Sequence, residues 1–115
     1  MITREDLKTV EIQMDMDTTE WRSVVAPDGR KFILSATNVT EEDLDSMNPF
    51  IAITFLLAPE YMIESAVYPA DDNWSIPGEC GTECAKGVCI RRISEDRTTG
   101  NIDRAYQLLL NYLNG

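Results

Sequence analysis

Polar and apolar residues alternate along the first third of the chain. Residues 10–16 place Val, Ile, Met and Met between acidic or amide residues, and residues 21–25 alternate again. A period of two is typical of a half-buried strand. Residues 26–30 read Ala-Pro-Asp-Gly-Arg, a turn sequence in which proline presets φ and glycine accepts a positive φ. With a third strand over 31–36, the pattern predicts an antiparallel three-stranded meander within residues 9–36.

The last part of the chain shows a helical period instead. Its apolar residues recur at i, i+3, i+4, i+7, i+8 and i+11, which predicts an amphipathic helix. Leu108 and Tyr112 widen the apolar stripe, and such a width indicates either deep burial, which we favour, or contact with a second subunit. The stripe consists of Ile102, Ala105, Tyr106, Leu109, Leu110 and Leu113.

The middle of the chain is harder to assign. Thr40 precedes three acidic residues, and this predicts a helix start, because threonine caps helices and acids oppose the positive end of the helix dipole. The apolar run 50–57 fits a strand or a helix, and periodicity does not decide between them. Pro59, at a possible first helical position, and the spacing of Glu60 and Glu64 predict a helix over 60–68.

These elements predict one α+β domain over residues 1–115. Its N-terminal antiparallel three-stranded meander would be packed by the C-terminal amphipathic helix and one or two further helices. The longest apolar run is nine residues, far below the ~20 that span a bilayer. The charged N-terminus has no apolar segment of a signal peptide. We therefore expect a cytoplasmic protein with reduced thiols.

The net charge is −10 and is unevenly distributed. Residues 1–79 carry 16 acids and 5 bases, which gives −11, whereas residues 80–115 carry 4 acids and 5 bases, which gives +1. Nucleic acids and anionic membranes attract clustered Lys and Arg, so an acidic body disfavours both as direct partners. A basic protein is the expected partner.

Histidine is absent from the whole chain. This excludes Ser-His-Asp and Cys-His catalysis and histidine metal ligation. Two Asp-x-Asp stretches begin like calcium loops, but both lack the required Gly and the bidentate acid further on. Paired carboxylates can act as acid and base, yet no pair is singled out. An enzyme is therefore the less favoured interpretation.

The chain has three cysteines, Cys80, Cys84 and Cys89, and all of them lie in one Gly-rich stretch of ten residues. Three thiolates on a loop can converge on zinc or an iron–sulfur cluster, although the spacing lacks the usual pairs and a fourth ligand. A disulfide with one free thiol is a further alternative. Reduced buried cysteines are the simplest explanation, so we expect no cofactor.

Acidic residues could form a binding face in two places. Glu11, Asp15 and Asp17 form the polar row of the first predicted strand, and Glu41, Glu42 and Asp45 lie in the helix after Thr40. The helix dipole alone also accounts for the acids in the first turn.

The leading hypothesis is a small acidic non-enzymatic binding protein, of an inhibitor, immunity or chaperone type, that engages a basic protein partner. The alternative is a metal-binding or thiol-redox module built on the three cysteines. A homodimer through the C-terminal helix is the alternative explanation of the wide apolar stripe.

Overall fold

The computed structural model describes residues 1–11, 19–74 and 92–115, with the backbone alone at Glu11. Within these residues the fold is α+β, with five strands, three α-helices and two 3₁₀ turns. The strands are β1 (Lys8–Glu11), β2 (Thr19–Val25), β3 (Lys31–Asn38), β4 (Ile63–Ala70) and β5 (Ser94–Asp96). The helices are α1 (Glu41–Ser46), α2 (Pro49–Leu57) and α3 (Ile102–Asn114), and the 3₁₀ turns are Arg4–Asp6 and Pro59–Tyr61.

The strands form one antiparallel sheet in the order β1-β2-β3-β4-β5. Strand β3 is central and pairs along its whole length with β4, from Lys31 opposite Ala70 to Asn38 opposite Ile63. The β2–β3 hairpin closes through the turn that its sequence predicts. There Gly29 adopts a φ of 92°, which glycine tolerates without a steric penalty.

Helix α3 covers one face of the sheet and contacts β3, β4 and β5. The Leu109 side chain of α3 is fully buried, together with Val24, Leu34 and Val67 from three adjacent strands. The core therefore buries most of the wide apolar stripe of α3, since Tyr112, at 47% exposure, is the most exposed of its large apolar side chains. The homodimer through this helix stays a prediction.

A smaller apolar cluster lies on the opposite face of the sheet. Ile33, Ala66 and Tyr68 are buried there, and Trp21 and Trp74 pack against them. The rings of Trp21 and Tyr68 have centroids 6.1 Å apart, a distance within the usual range of aromatic pairs. The central strands are therefore apolar on both faces, unlike the one-sided alternation of the predicted meander.

The α+β class and the antiparallel sheet are confirmed. Within the described residues the sheet has five strands, of which β1, β2 and β3 are consecutive antiparallel neighbours, in partial agreement with the predicted meander. The helix predicted over 60–68 is wrong, because Ile63–Ala70 is strand β4. Pairing with β3 overrides the local helical signals. As a result, Glu60 and Glu64 lie in different elements instead of on one face of a helix. Glu60 lies in a 3₁₀ turn, whereas Glu64 is buried on the strand. The open question over 50–57 is resolved as helix α2.

Candidate binding surface

Helices α1 and α2 lie in the connection between β3 and β4, which are neighbours in the sheet. Helix α2 has its main contacts with α1 and with the 3₁₀ turn Pro59–Tyr61, not with the sheet. Neither hydrophobic cluster of the described residues includes a side chain of α2. The helix pair thus extends from the core instead of covering it.

Helix α1 begins at a reciprocal cap. The Thr40 hydroxyl accepts a hydrogen bond from the Asp43 backbone N–H at 3.2 Å, and the Asp43 carboxylate accepts one from the Thr40 N–H at 2.8 Å. Such caps satisfy backbone donors that a helix start leaves free. Asp43 therefore serves the local fold. Glu41, Glu42 and Asp45 are solvent-exposed, and Asp45 lies beyond the first turn.

The carboxylates of Glu41, Glu42 and Asp45 have no ion pair within the part of the chain that the structure describes. The sequence explains this, because no Lys or Arg occurs between Lys31 and Lys86. Most of the described bases elsewhere are paired with acids outside α1. These pairs include Arg4–Asp103, Arg30–Asp28, Lys31–Asp72, Arg92–Glu64 and Arg104–Asp96.

Helix α2 has clear start and stop signals. The Asn48 side chain caps it by accepting a hydrogen bond from the Phe50 N–H at 2.8 Å, and Pro49 occupies its first position. Proline suits that position because its missing N–H would have no helical partner. Pro59 follows the C-terminal end. The nine residues between these signals contain no charged side chain.

The apolar side chains of α2 are mostly in contact with solvent. Ala52 is its only buried residue. Phe50 is 81% exposed and Leu57 is 82% exposed, and Ile51, Ile53 and Leu56 are also exposed. Contiguous apolar surfaces of this kind are uncommon on monomers and are typical of interaction sites, so α2 is a candidate interaction surface.

Helix α2 presents two different faces, because successive residues are rotated by about 100°. Phe50, Ile53 and Leu57 share the outer face, which we call the outer stripe. Ala52, Phe55 and Leu56 share the inner face, which borders α1. The inner face, Leu44 and Met62 line a groove of about 480 Å³, and Glu41 and Asp45 line the same groove. We call this the α1–α2 groove.

A second cluster of charged groups lies on the sheet. Glu64 is only 3% exposed, and its carboxylate accepts hydrogen bonds from the Arg92 Nε and Nη2 at 3.0 and 3.2 Å. Arg97 lies 3.7 Å from the same carboxylate. The guanidinium groups of Arg92 and Arg97 lie 4.8 and 4.7 Å from the Tyr61 ring centroid, within the range of cation–π contacts.

This cluster serves the fold. Burial raises the pKa of the Glu64 carboxyl, and the hydrogen bonds from Arg92 oppose that shift. Burial likewise raises the pKa of Tyr68. The two arginines are offset by Glu64 and Glu95, so no net charge is left over to attract a ligand. We assign the cluster to holding β4 and β5 together.

The predicted site residues are only partly covered by the structure. Glu41, Glu42 and Asp45 lie together on α1. The backbone of Glu11 is at the end of edge strand β1, and it pairs with Ser23 on β2, two strands away from β4. The remaining predicted residues, Asp15, Asp17, Cys80, Cys84 and Cys89, lie outside the described residues.

In the ranges 1–11, 19–74 and 92–115, no three His, Cys, Asp or Glu side chains are grouped so that they could hold a metal ion. None of the helices in these ranges is both long and apolar enough to cross a membrane.

Comparison with models of known protein families, with curated proteins and with solved structures found no match to this chain. The function therefore has to be argued from the surface itself.

The sequence did not reveal the exposure of α2. An apolar run of nine residues predicts burial. The exposure becomes visible only in the structure, where α2 packs mainly on α1 and the 3₁₀ turn and not on the sheet. One signal was available: the run lies between an acidic helix and a proline, and it has no charged residue and a single polar one, Thr54.

Proposed function

We propose that this chain is a small acidic, non-enzymatic binding protein that engages a basic protein partner through α1 and α2. Inhibitors, immunity-type proteins and chaperone-like proteins are the classes that this mode of action fits. A cytoplasmic location goes with the proposal, because such a setting keeps the three thiols reduced.

The observation that carries the proposal is the position of α2 beside α1. An exposed, uncharged apolar helix adjoins a helix whose three exposed carboxylates have no ion pair within the described residues. Burying a large apolar side chain that is fully exposed contributes about 1.5–3 kcal/mol, so Phe50 and Leu57 alone offer a partner substantial binding energy.

The carboxylates of α1 would supply selectivity and speed of association. Charges at the rim of an interface steer encounter and disfavour partners of like charge more than they add affinity. A basic partner is attracted to α1, whereas acidic proteins and nucleic acids are repelled. The absence of histidine and the lack of a singled-out carboxylate pair favour binding over catalysis.

A pull-down with the immobilised chain tests the proposal. We expect a basic protein that is retained at about 50 mM salt and released at about 500 mM. The Debye length is more than about 10 Å at the lower concentration and only a few ångströms at the higher one, so salt weakens the attraction between exposed charges. The variant Glu41→Gln/Asp45→Asn should lose this protein. The matched control Glu5→Gln/Asp72→Asn removes two charges outside α1 and should retain it.

The result is decided by the comparison of these variants. If no basic protein is bound in a salt-sensitive manner from lysates of plausible hosts, the proposal is wrong. Equal losses in both variants would show that net charge, and not the surface of α1, is responsible.

A further inference from the structure

The α1–α2 groove combines an apolar floor with an acidic edge. Leu44, Phe55 and Leu56 contribute apolar surface, and Glu41 and Asp45 line the groove from α1. Glu41 and Asp45 are four residues apart, so they lie on one face of α1 at successive turns, about 6 Å apart along the axis. At about 480 Å³ the groove can accept more than one side chain of a partner.

This arrangement requires a particular chemistry from its occupant. The occupant needs an apolar stripe for the floor and positive charges next to that stripe for the edge. An amphipathic helix with Lys or Arg beside apolar residues at i, i+3, i+4 and i+7 provides both, and docking of such a helix in a groove is a recurrent mode of recognition.

A second copy of this chain is a poor occupant. It would bring its own Glu41, Glu42 and Asp45 towards the same carboxylates, and no Lys or Arg lies between residues 31 and 86 to offset them. Like charges brought together at an interface cost several kcal/mol.

We propose that the α1–α2 groove binds a basic amphipathic helix of the partner. Its apolar side chains enter between Leu44 and the inner face of α2, and two Lys or Arg residues one turn apart pair with Glu41 and Asp45. This inference rests on the proposed function and narrows it to one groove and one kind of ligand. The outer stripe lies outside this groove, so its apolar surface is left for other parts of the partner protein to cover.

Synthetic peptides of about 18 residues, long enough for five helical turns, test the inference. The first carries Leu at i, i+3, i+4 and i+7 with Lys beside the stripe. The second has the same composition in scrambled order, and the third replaces Lys by Glu. We expect the first to bind in titration calorimetry at least about tenfold more tightly than the others, which corresponds to about 1.4 kcal/mol.

Variants of the chain locate the binding site. Leu56→Ser changes the inner face and should weaken binding of the first peptide about tenfold, whereas Phe50→Ser changes the outer stripe and should alter it less than about twofold. Both side chains are exposed, so neither variant should unfold the chain. Glu41→Gln/Asp45→Asn should weaken binding and reduce its dependence on salt.

Four results would overturn the groove assignment. Equal binding of the scrambled peptide would show simple charge attraction, and it would leave the proposed function intact. A larger loss in Phe50→Ser than in Leu56→Ser would move the site to the outer stripe. Dimerisation in sedimentation that Leu56→Ser abolishes would assign the groove to a second copy. Failure of every basic peptide, together with an empty pull-down, would contradict both proposals.

Discussion

Glu64 and Arg92 form a bidentate ion pair. The pair links strand β4 to the segment just before β5, because Arg92 lies two residues before the start of that strand. Removing Arg92 would leave the buried Glu64 carboxylate with only the longer contact to Arg97, at 3.7 Å, to offset its charge, and such a loss is strongly destabilising. We expect Arg92→Met to lower the free energy of unfolding by about 3 kcal/mol at pH 7. Urea denaturation of the variant and the unchanged chain measures the difference.

The pH dependence of this loss has a definite sign. Without Arg92, burial raises the pKa of the Glu64 carboxyl further above its ordinary value of 4.5. A folded-state pKa above the unfolded value favours folding at low pH, and this contribution is lost as the pH rises. The deficit of Arg92→Met should therefore shrink as the pH falls from 7 towards 4.5, and the double variant Glu64→Gln/Arg92→Met should show a much weaker trend. A deficit that grows on acidification would contradict the assignment.

Asp96 gives the opposite pH dependence. Hydrogen bonds from the Thr98 side chain, then from Arg104 and the Thr98 backbone, lower the pKa of its carboxyl to about 2. A depressed folded-state pKa stabilises the fold above the unfolded value of 3.8, and this stabilisation disappears as the pH falls towards 2.

We therefore expect Asp96→Asn to be less stable than the unchanged chain at pH 7, with a difference that closes between about pH 4 and pH 2. Urea titrations at several pH values measure it. Asp103→Asn is a suitable control, since the Asp103 carboxylate is exposed and pairs on the surface with Arg4. A constant difference across that pH range would show that the charge of Asp96 does not contribute to stability, and that its effect comes from packing or uncharged hydrogen bonding.

Two leucines in contrasting environments should respond very differently to truncation. Leu109 is fully buried in the core, whereas Leu57 is 82% exposed at the end of α2. Leu109→Ala should cost about 2–5 kcal/mol through lost burial and a residual cavity, and Leu57→Ala should cost less than about 0.5 kcal/mol. Thermal and urea unfolding test both. A large loss for Leu57→Ala would mean that α2 is covered by something within the chain or by a second copy.

The cysteine alternative remains open to a direct measurement. A metal module built on Cys80, Cys84 and Cys89 predicts close to one equivalent of zinc, or iron in cluster stoichiometry, in protein purified without chelator. Elemental analysis with thiol titration checks this. Less than about a tenth of an equivalent of metal, with all three thiols titrating freely, would remove the metal hypothesis.

Local patterns predicted the elements whose signals agree with one another. Helix α3 follows from its long apolar stripe, because one face of the sheet buries that stripe. Strand β2 follows from its alternation, and β3 follows from its place after a turn that requires the glycine at position 29. Each of these signals acts within about a dozen residues.

The errors arise where distant partners decide. Residues 60–68 carry helical signals, yet β4 pairs with β3 some thirty residues earlier in the chain. Glu64 is buried because Arg92 offsets it, and no local pattern indicates a partner 28 residues away. The acidic residues of α1 were predicted from charge alone, whereas the groove beside them depends on how α1 and α2 pack. That packing is not encoded in either helix by itself.

The route of the chain between β3 and β4 has a consequence for how this molecule could be altered. These strands are antiparallel neighbours, so a tight hairpin would connect them, yet residues 39–62 make the connection instead. Loop-closure entropy rises only by about 0.6 kcal/mol for each doubling of length, so the sheet bears this insertion at little cost. Helices α1 and α2 should therefore be removable, or transferable between other paired strands, while the sheet and α3 remain folded. Buried Val39 must be kept, and so must Tyr61, whose ring contacts the guanidinium groups of Arg92 and Arg97.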